Sequence, residues 1–88
     1  MTSPLSRDAA ETLALRALAH VAADADLGPR FLDLTGIDIA TLRARAGKPD
    51  VLAATLAFLD GHEPTLVATA HALDVTPATL AAAHRVLA

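Results

Sequence analysis

The chain has 88 residues, of which 53% are hydrophobic but only 2% aromatic, with no cysteine and a formal net charge of -3. Its length limits it to one small domain, which at this size removes about 60 to 65% of the unfolded chain's surface from water. The missing cysteine excludes a disulfide framework, a thiolate nucleophile and any cysteine zinc site, and the mild acidity supplies no general attraction to phosphate backbones or anionic lipid.

Residues 1–7 are short and polar and are expected to form a flexible N-terminal arm, with 8–88 as a single helical domain. They lack the apolar centre of a signal peptide. The most apolar segment, Val51 to Leu59, is far shorter than the roughly 20 residues that span a bilayer. A cytoplasmic protein without membrane association is the default expectation. The first helix opens with Asp8 as N-cap and Glu11 as its capping-box partner. Steps of about 100° per residue gather Ala10, Leu13, Ala14, Leu15, Ala17, Leu18, Val21 and Ala22 on one arc and set Thr12, Arg16 and His20 opposite. Glu11 falls inside that arc. Either capping at a solvated helix end explains it, or it pairs with Arg30 or Arg43.

Residues 23–28 turn the chain, and Pro29 suits the first position of a second helix, where its missing N–H has no intrahelical partner to lose. Phe31 and Leu34 then point the same way, Leu32 sits at the flank, and Gly36 closes the helix with a positive φ. Ile37 and Leu42 bracket Asp38 with the spacing of a hydrophobic staple around an N-cap, so a third helix covers Ile39 to Ala46 and stops at Gly47. The fourth, Pro49 to Asp60, has almost no polar face beyond Thr55 and its ends, and should be buried on all sides as a central helix or through a second subunit. Gly61 ends it. Pro64 opens a fifth helix with Leu66, Val67, Ala70 and Leu73 inward. The grammar of the first corner then returns, with Thr76 as N-cap, Pro77 at the first helical position, and Val75 and Leu80 as staple residues. Leu80, Ala83 and Leu87 face inward on the sixth helix. The expected fold is all-α, a compact bundle of five or six short helices with two similar helix-turn-helix corners around a buried central helix.

Few of these residues carry chemistry. Residues 66–88 resemble a DNA-binding helix-turn-helix, with Asp74 at the usual turn-glycine place, but the last helix presents Pro77, Ala78, Ala81 and Ala82 and only one long donor, Arg85. Methyl groups touch thymine yet cannot make the bidentate bonds that distinguish base pairs. Arg43, Arg45 and Lys48 cluster at the end of the third helix, where cations complement the helix dipole. With Arg30 they form the candidate partner surface. His20, His62, His71 and His84 lack the His-Glu-x-x-His spacing of a zinc helix. Ser3 and Ser6 lie in the arm, away from any positioned base. No catalytic residue, cofactor or metal site is assigned.

Glu11 with Leu13 to Leu18, the run Arg30-Phe31-Leu32-Asp33-Leu34-Thr35-Gly36, Leu42-Arg43, Phe58-Leu59, Glu63, and Pro77 before an alanine-rich helix together resemble a family of short, all-helical alphaproteobacterial proteins of unknown function. The likeness runs from about residue 8 to 88. It implies a compact helical domain and transfers no catalytic residue. Thr69-Ala70 stands where that family leads one to expect Phe-Ala, which implies a small gap in the core. The combined reading is a non-enzymatic helical interaction module for an unknown protein partner, with a homodimer as one form. The alternative is a nucleic-acid-binding accessory protein using the corner at 66–88 or the basic cluster at 43–48.

Overall fold

The computed structural model describes residues 5–88. Within them the chain forms α1 (Arg7–Ala23), α2 (Leu27–Thr35), α3 (Ile39–Arg45), α4 (Pro49–Asp60), α5 (Glu63–Ala72) and α6 (Pro77–Leu87), with no strand among the described residues. Residues 1–4, most of the expected N-terminal arm, lie outside the described residues. The cap of α1 is Ser6 rather than Asp8: its Oγ accepts from the Ala9 N–H at 3.0 Å, so the helix begins at Arg7. Serine in extended conformation satisfies an otherwise orphaned N–H as well as aspartate does, and Leu5 just before it packs against the core.

Helix α1 buries Ala10, Leu13, Ala14, Ala17, Leu18 and Val21, whereas Leu15 and Ala22, expected inside, face outward. The buried stripe is narrower than the alanine-rich arc suggested. Two aspartates then make the next turns. Asp24 Oδ1 accepts from the N–H groups of Asp26 and Leu27 at 2.8 and 2.9 Å, which starts α2 at Leu27, two residues before Pro29. Gly28 lies so close to the end of α1 that a Cβ there would meet Ala22 O at 3.3 Å. Farther on, Phe31 is only 1% exposed and anchors α2, but Leu34 is 73% exposed. The stripe of α2 runs from Gly28 through Phe31 to the half-buried Thr35, a step of three and then four residues, and leaves Leu34 on the outer side.

Both corners form at the expected residues. Gly36 takes the left-handed conformation at φ +72° and its N–H returns to Leu32 O at 2.9 Å. Asp38 caps α3 through Oδ1 to the Thr41 N–H at 2.7 Å. Ile37 and Leu42 are both half-buried, and Leu42 packs against the core. At the second corner Asp74 holds φ +59°, the Val75 N–H reaches Ala70 O at 2.9 Å, and Thr76 caps α6 through the Thr79 N–H at 3.1 Å. The axes of α5 and α6 turn through 104° there.

The centre is shared by α1 and α4, each packed against α2, α5, α6 and the other. Helix α4 has the expected bounds and buries Val51, Leu52, Leu56 and Leu59 within the chain, but it is not buried on all sides, since Ala57 is exposed and Phe58 half-buried. Thr55, expected as its polar face, is fully buried and donates its hydroxyl to Val51 O at 2.9 Å, so the helix itself satisfies it. Helix α5 turns two threonines inward instead of Val67. Thr65 and Thr69 are buried with Ala70 and Leu73, while Val67 is exposed. Among the described residues no single helix is long and apolar enough to cross a membrane.

Candidate interaction face

Helix α3 differs from the other five. It packs extensively against no other helix among the described residues, and none of its own residues is buried. Three things hold it: the Asp38 cap, the half-buried Leu42 and Ala46 on the core, and Arg45, whose Nη2 donates to both carboxylate oxygens of Asp50 at 3.0 and 2.8 Å. A cleft of about 330 Å³ lies over Pro29, Phe31 and Leu32 of α2 and reaches Ile39. A second groove, of about 260 Å³, runs along Leu15, Leu18 and Ala19 of α1 to Ala46. Ala22, Leu42 and Arg43 border both. Ile39 is 55% and Leu15 46% exposed, so two large apolar side chains mark this face. Isolated exposed leucines are ordinary; a set joined by clefts and edged by charge is the form that interaction sites take.

The basic residues singled out in the sequence do not converge. Arg43 borders the α3 clefts, whereas Arg30 lines an open cleft of about 460 Å³ between α2, α4 and α5, together with Leu34, Phe58, His62 and Thr65. Arg45 is engaged by Asp50, and Lys48 is the exposed N-cap of α4. Glu11 meets neither Arg30 nor Arg43. Its closest cation is Arg7, one turn earlier, at 3.9 Å, a distance and exposure that contribute little. Arg30 and Arg43 line different clefts, although α2 residues beside Arg30 share the cleft that Arg43 borders.

Two long-range polar contacts leave no local signature, Arg16 with Leu73 and His84 with Asp60. Arg16, expected to face solvent, donates from Nη2 to Leu73 O at 2.8 Å and so ties α1 to the second corner, 57 residues away. His84 Nδ1 and Asp60 Oδ2 lie 2.6 Å apart and join α6 to the end of α4. His62 Nδ1 meets Thr65 Oγ1 at 2.7 Å. His71 is exposed and His20 half-buried, in the last turns of their helices. No three metal-ligating side chains are grouped to hold an ion among the described residues.

Three carboxylates around α2, α3 and α4 are held below the ordinary aspartate range. For Asp24 the cause is first the Leu27 N–H and then that of Asp26. For Asp38 it is the Thr41 N–H, then the Thr41 hydroxyl. For Asp50 it is the hydrogen bond from Arg45. Each is therefore a fixed negative charge near neutrality.

The family described as "Protein of unknown function (DUF3572)" matches residues 7–88. The chain belongs to that family. Its match spans all six helices, including the corner at Gly36 and the α3 face. No curated protein matches the chain, and no solved structure does. Membership therefore assigns no activity to any residue of the face.

Proposed function

We propose that the protein is a non-enzymatic helical interaction module of the bacterial cytoplasm that docks another protein through the α3 side. One observation carries this reading: a seven-residue helix buries none of its own residues while Ile39 stands exposed at one apolar cleft and a second adjoins it at Leu42 and Arg43. A helix that short is marginal in water on its own account, because nucleation is costly and few hydrogen bonds repay it. Helical stability in proteins comes mainly from burying an apolar face, and α3 obtains little of that within its chain. Protein docking supplies the missing burial. The absence of cysteine suits a reducing compartment.

Nucleic acid fits less well. The exposed positions of α6 are Pro77, Ala78 and Arg85, which give one long donor, and Arg45 is already bonded to Asp50. Phosphate binding needs several free cations on one face.

Photo-crosslinking in the native cell tests the reading. A crosslinking side chain in place of Ile39 is expected to capture protein, and one in place of Ala78 on α6 is expected to capture little. Equal yields at both positions, no protein adduct at 39, or nucleic-acid adducts at 78 contradict it.

A further inference from the structure

Turning the chain at Gly36 accounts for Gly36, Asp38 and Leu42 but not for the start of the same run. Arg30 and Leu34 are exposed one turn apart on α2, and both line the cleft of about 460 Å³ between α2, α4 and α5. That cleft exists because α2 and α5 each pack on α4 but little on one another. Ala54, Ala57 and Phe58 of α4 form its floor, at spacings of three and four residues that set them on one side of the helix. The two alanines keep the floor low.

Two polar groups at this cleft are unengaged. The Arg30 guanidinium takes part in none of the ion pairs among the described residues. His62 holds its Nδ1 at 2.7 Å from the hydroxyl of Thr65, a residue only 9% exposed, which fixes the ring and leaves Nε2 without a partner among the described residues. Thr35 is already used within the corner, donating its hydroxyl to Phe31 O at 2.7 Å and accepting from the Ile37 N–H at 3.3 Å.

We propose that this cleft binds a small amphiphilic monocarboxylate, a hydrocarbon of about six to ten carbons ending in one carboxylate. The planar fork of Arg30 matches the two carboxylate oxygens. An anion also selects the tautomer in which Thr65 donates to Nδ1 and His62 carries its hydrogen on Nε2, as a second donor. The hydrocarbon covers Leu34, Phe58 and the two alanines. Volume and lining suit such a ligand, since small-molecule clefts hold about 300–1,000 Å³ and are mostly apolar with a few placed polar groups. Charge limits it to one negative unit: Asp24 and Asp26 border the adjoining cleft, which shares Arg30 and Thr65 with this one, and Asp24 is a fixed negative charge. One guanidinium beside two acids favours a monoanion over a phosphate dianion. Two donors serve one carboxylate and leave none for the carbonyls of a peptide backbone. The site is distinct from the α3 face and does not depend on docking there.

Nuclear magnetic resonance titration of the full chain with sodium octanoate tests the proposal. Octanoate is expected to shift the amides of Arg30, Leu34, Phe58 and His62 with a dissociation constant of about 1 mM or below, while residues 39–45 stay still. Acetate, which has the charge without the chain, and octanamide, which has the chain without the charge, should each bind at least about tenfold more weakly. Arg30→Gln removes the cation and Ala57→Leu fills the floor, and each should weaken octanoate about tenfold. Both positions are exposed, and unchanged shifts in α1 and α6 check that the fold survives. No saturable shift by about 10 mM, shifts centred away from the cleft, acetate or octanamide bound as tightly as octanoate, or either variant binding like the wild type overturns the proposal. A leucine-ended peptide with a free carboxylate that binds more tightly than octanoate also overturns it, giving the cleft to a protein C-terminus.

Discussion

Thr69 is fully buried and its hydroxyl has no hydrogen-bond partner among the described residues. Sequence likeness implies a gap at this position; what the structure shows there is an orphaned polar atom. Leaving a buried hydroxyl unpaired costs about 1–3 kcal/mol. Thr69→Val keeps the branched shape and removes the unpaired group, so it should stabilise the protein by about 1 kcal/mol, seen as a higher urea midpoint with an unchanged slope. A lower midpoint would show that the hydroxyl is satisfied after all. The two phenylalanines divide in a related way. Their rings meet edge to face at 5.4 Å between centroids, but Phe31 is buried whereas Phe58 is half-buried at the rim of the Arg30 cleft. Phe31→Ala should therefore cost about 3–5 kcal/mol and Phe58→Ala clearly less. Equal losses would mean that the rim is closed.

Among the elements, the first corner depends on charge and the second on a long-range tie. Asp24, Asp38 and Asp50 have folded pKa values below their unfolded ones. Their contribution is complete above the unfolded value of about 3.9 and disappears as pH falls from there through the folded values. Urea titrations should thus show constant support from these groups at neutral pH and a loss below about pH 4. Because all three serve the helix starts between residues 24 and 50, Asp38→Ala should remove part of that acid dependence along with the cap. At the other corner Arg16 reaches Leu73 O across the molecule. Arg16→Ala should cost about 1 kcal/mol and raise amide exchange near Asp74 and Val75. Exchange unchanged at those two residues would show the contact to be incidental.

Over the whole molecule, local punctuation was the legible part. Pro49 and Pro77 begin helices, Gly36 turns one corner and Asp74 the other, and Asp38 and Thr76 cap as their neighbours require. Each of those features is decided within four or five residues. What escaped depends on rotation and distance. Leu15, Leu34 and Val67 are outward because each helix is turned by its packing partners, and hydropathy ranks Thr65 and Thr69 as polar although the fold buries them. Arg16 with Leu73 and His84 with Asp60 are separated by 57 and 24 residues and leave no pattern in the chain. Closeness in sequence suggests one basic surface, whereas Arg30 and Arg43 line different clefts and Arg45 is held by Asp50. The Cα radius of gyration, 12.1 Å, is that of a folded domain of this length, about 12 Å, so weak packing of α3 is local. Amide hydrogen exchange of residues 39–45 tests the central claim most directly. It should show fast exchange in α3 while α1 and α4 remain protected. Protection of α3 equal to that of α1 would show that the chain already buries this helix, and would contradict the account.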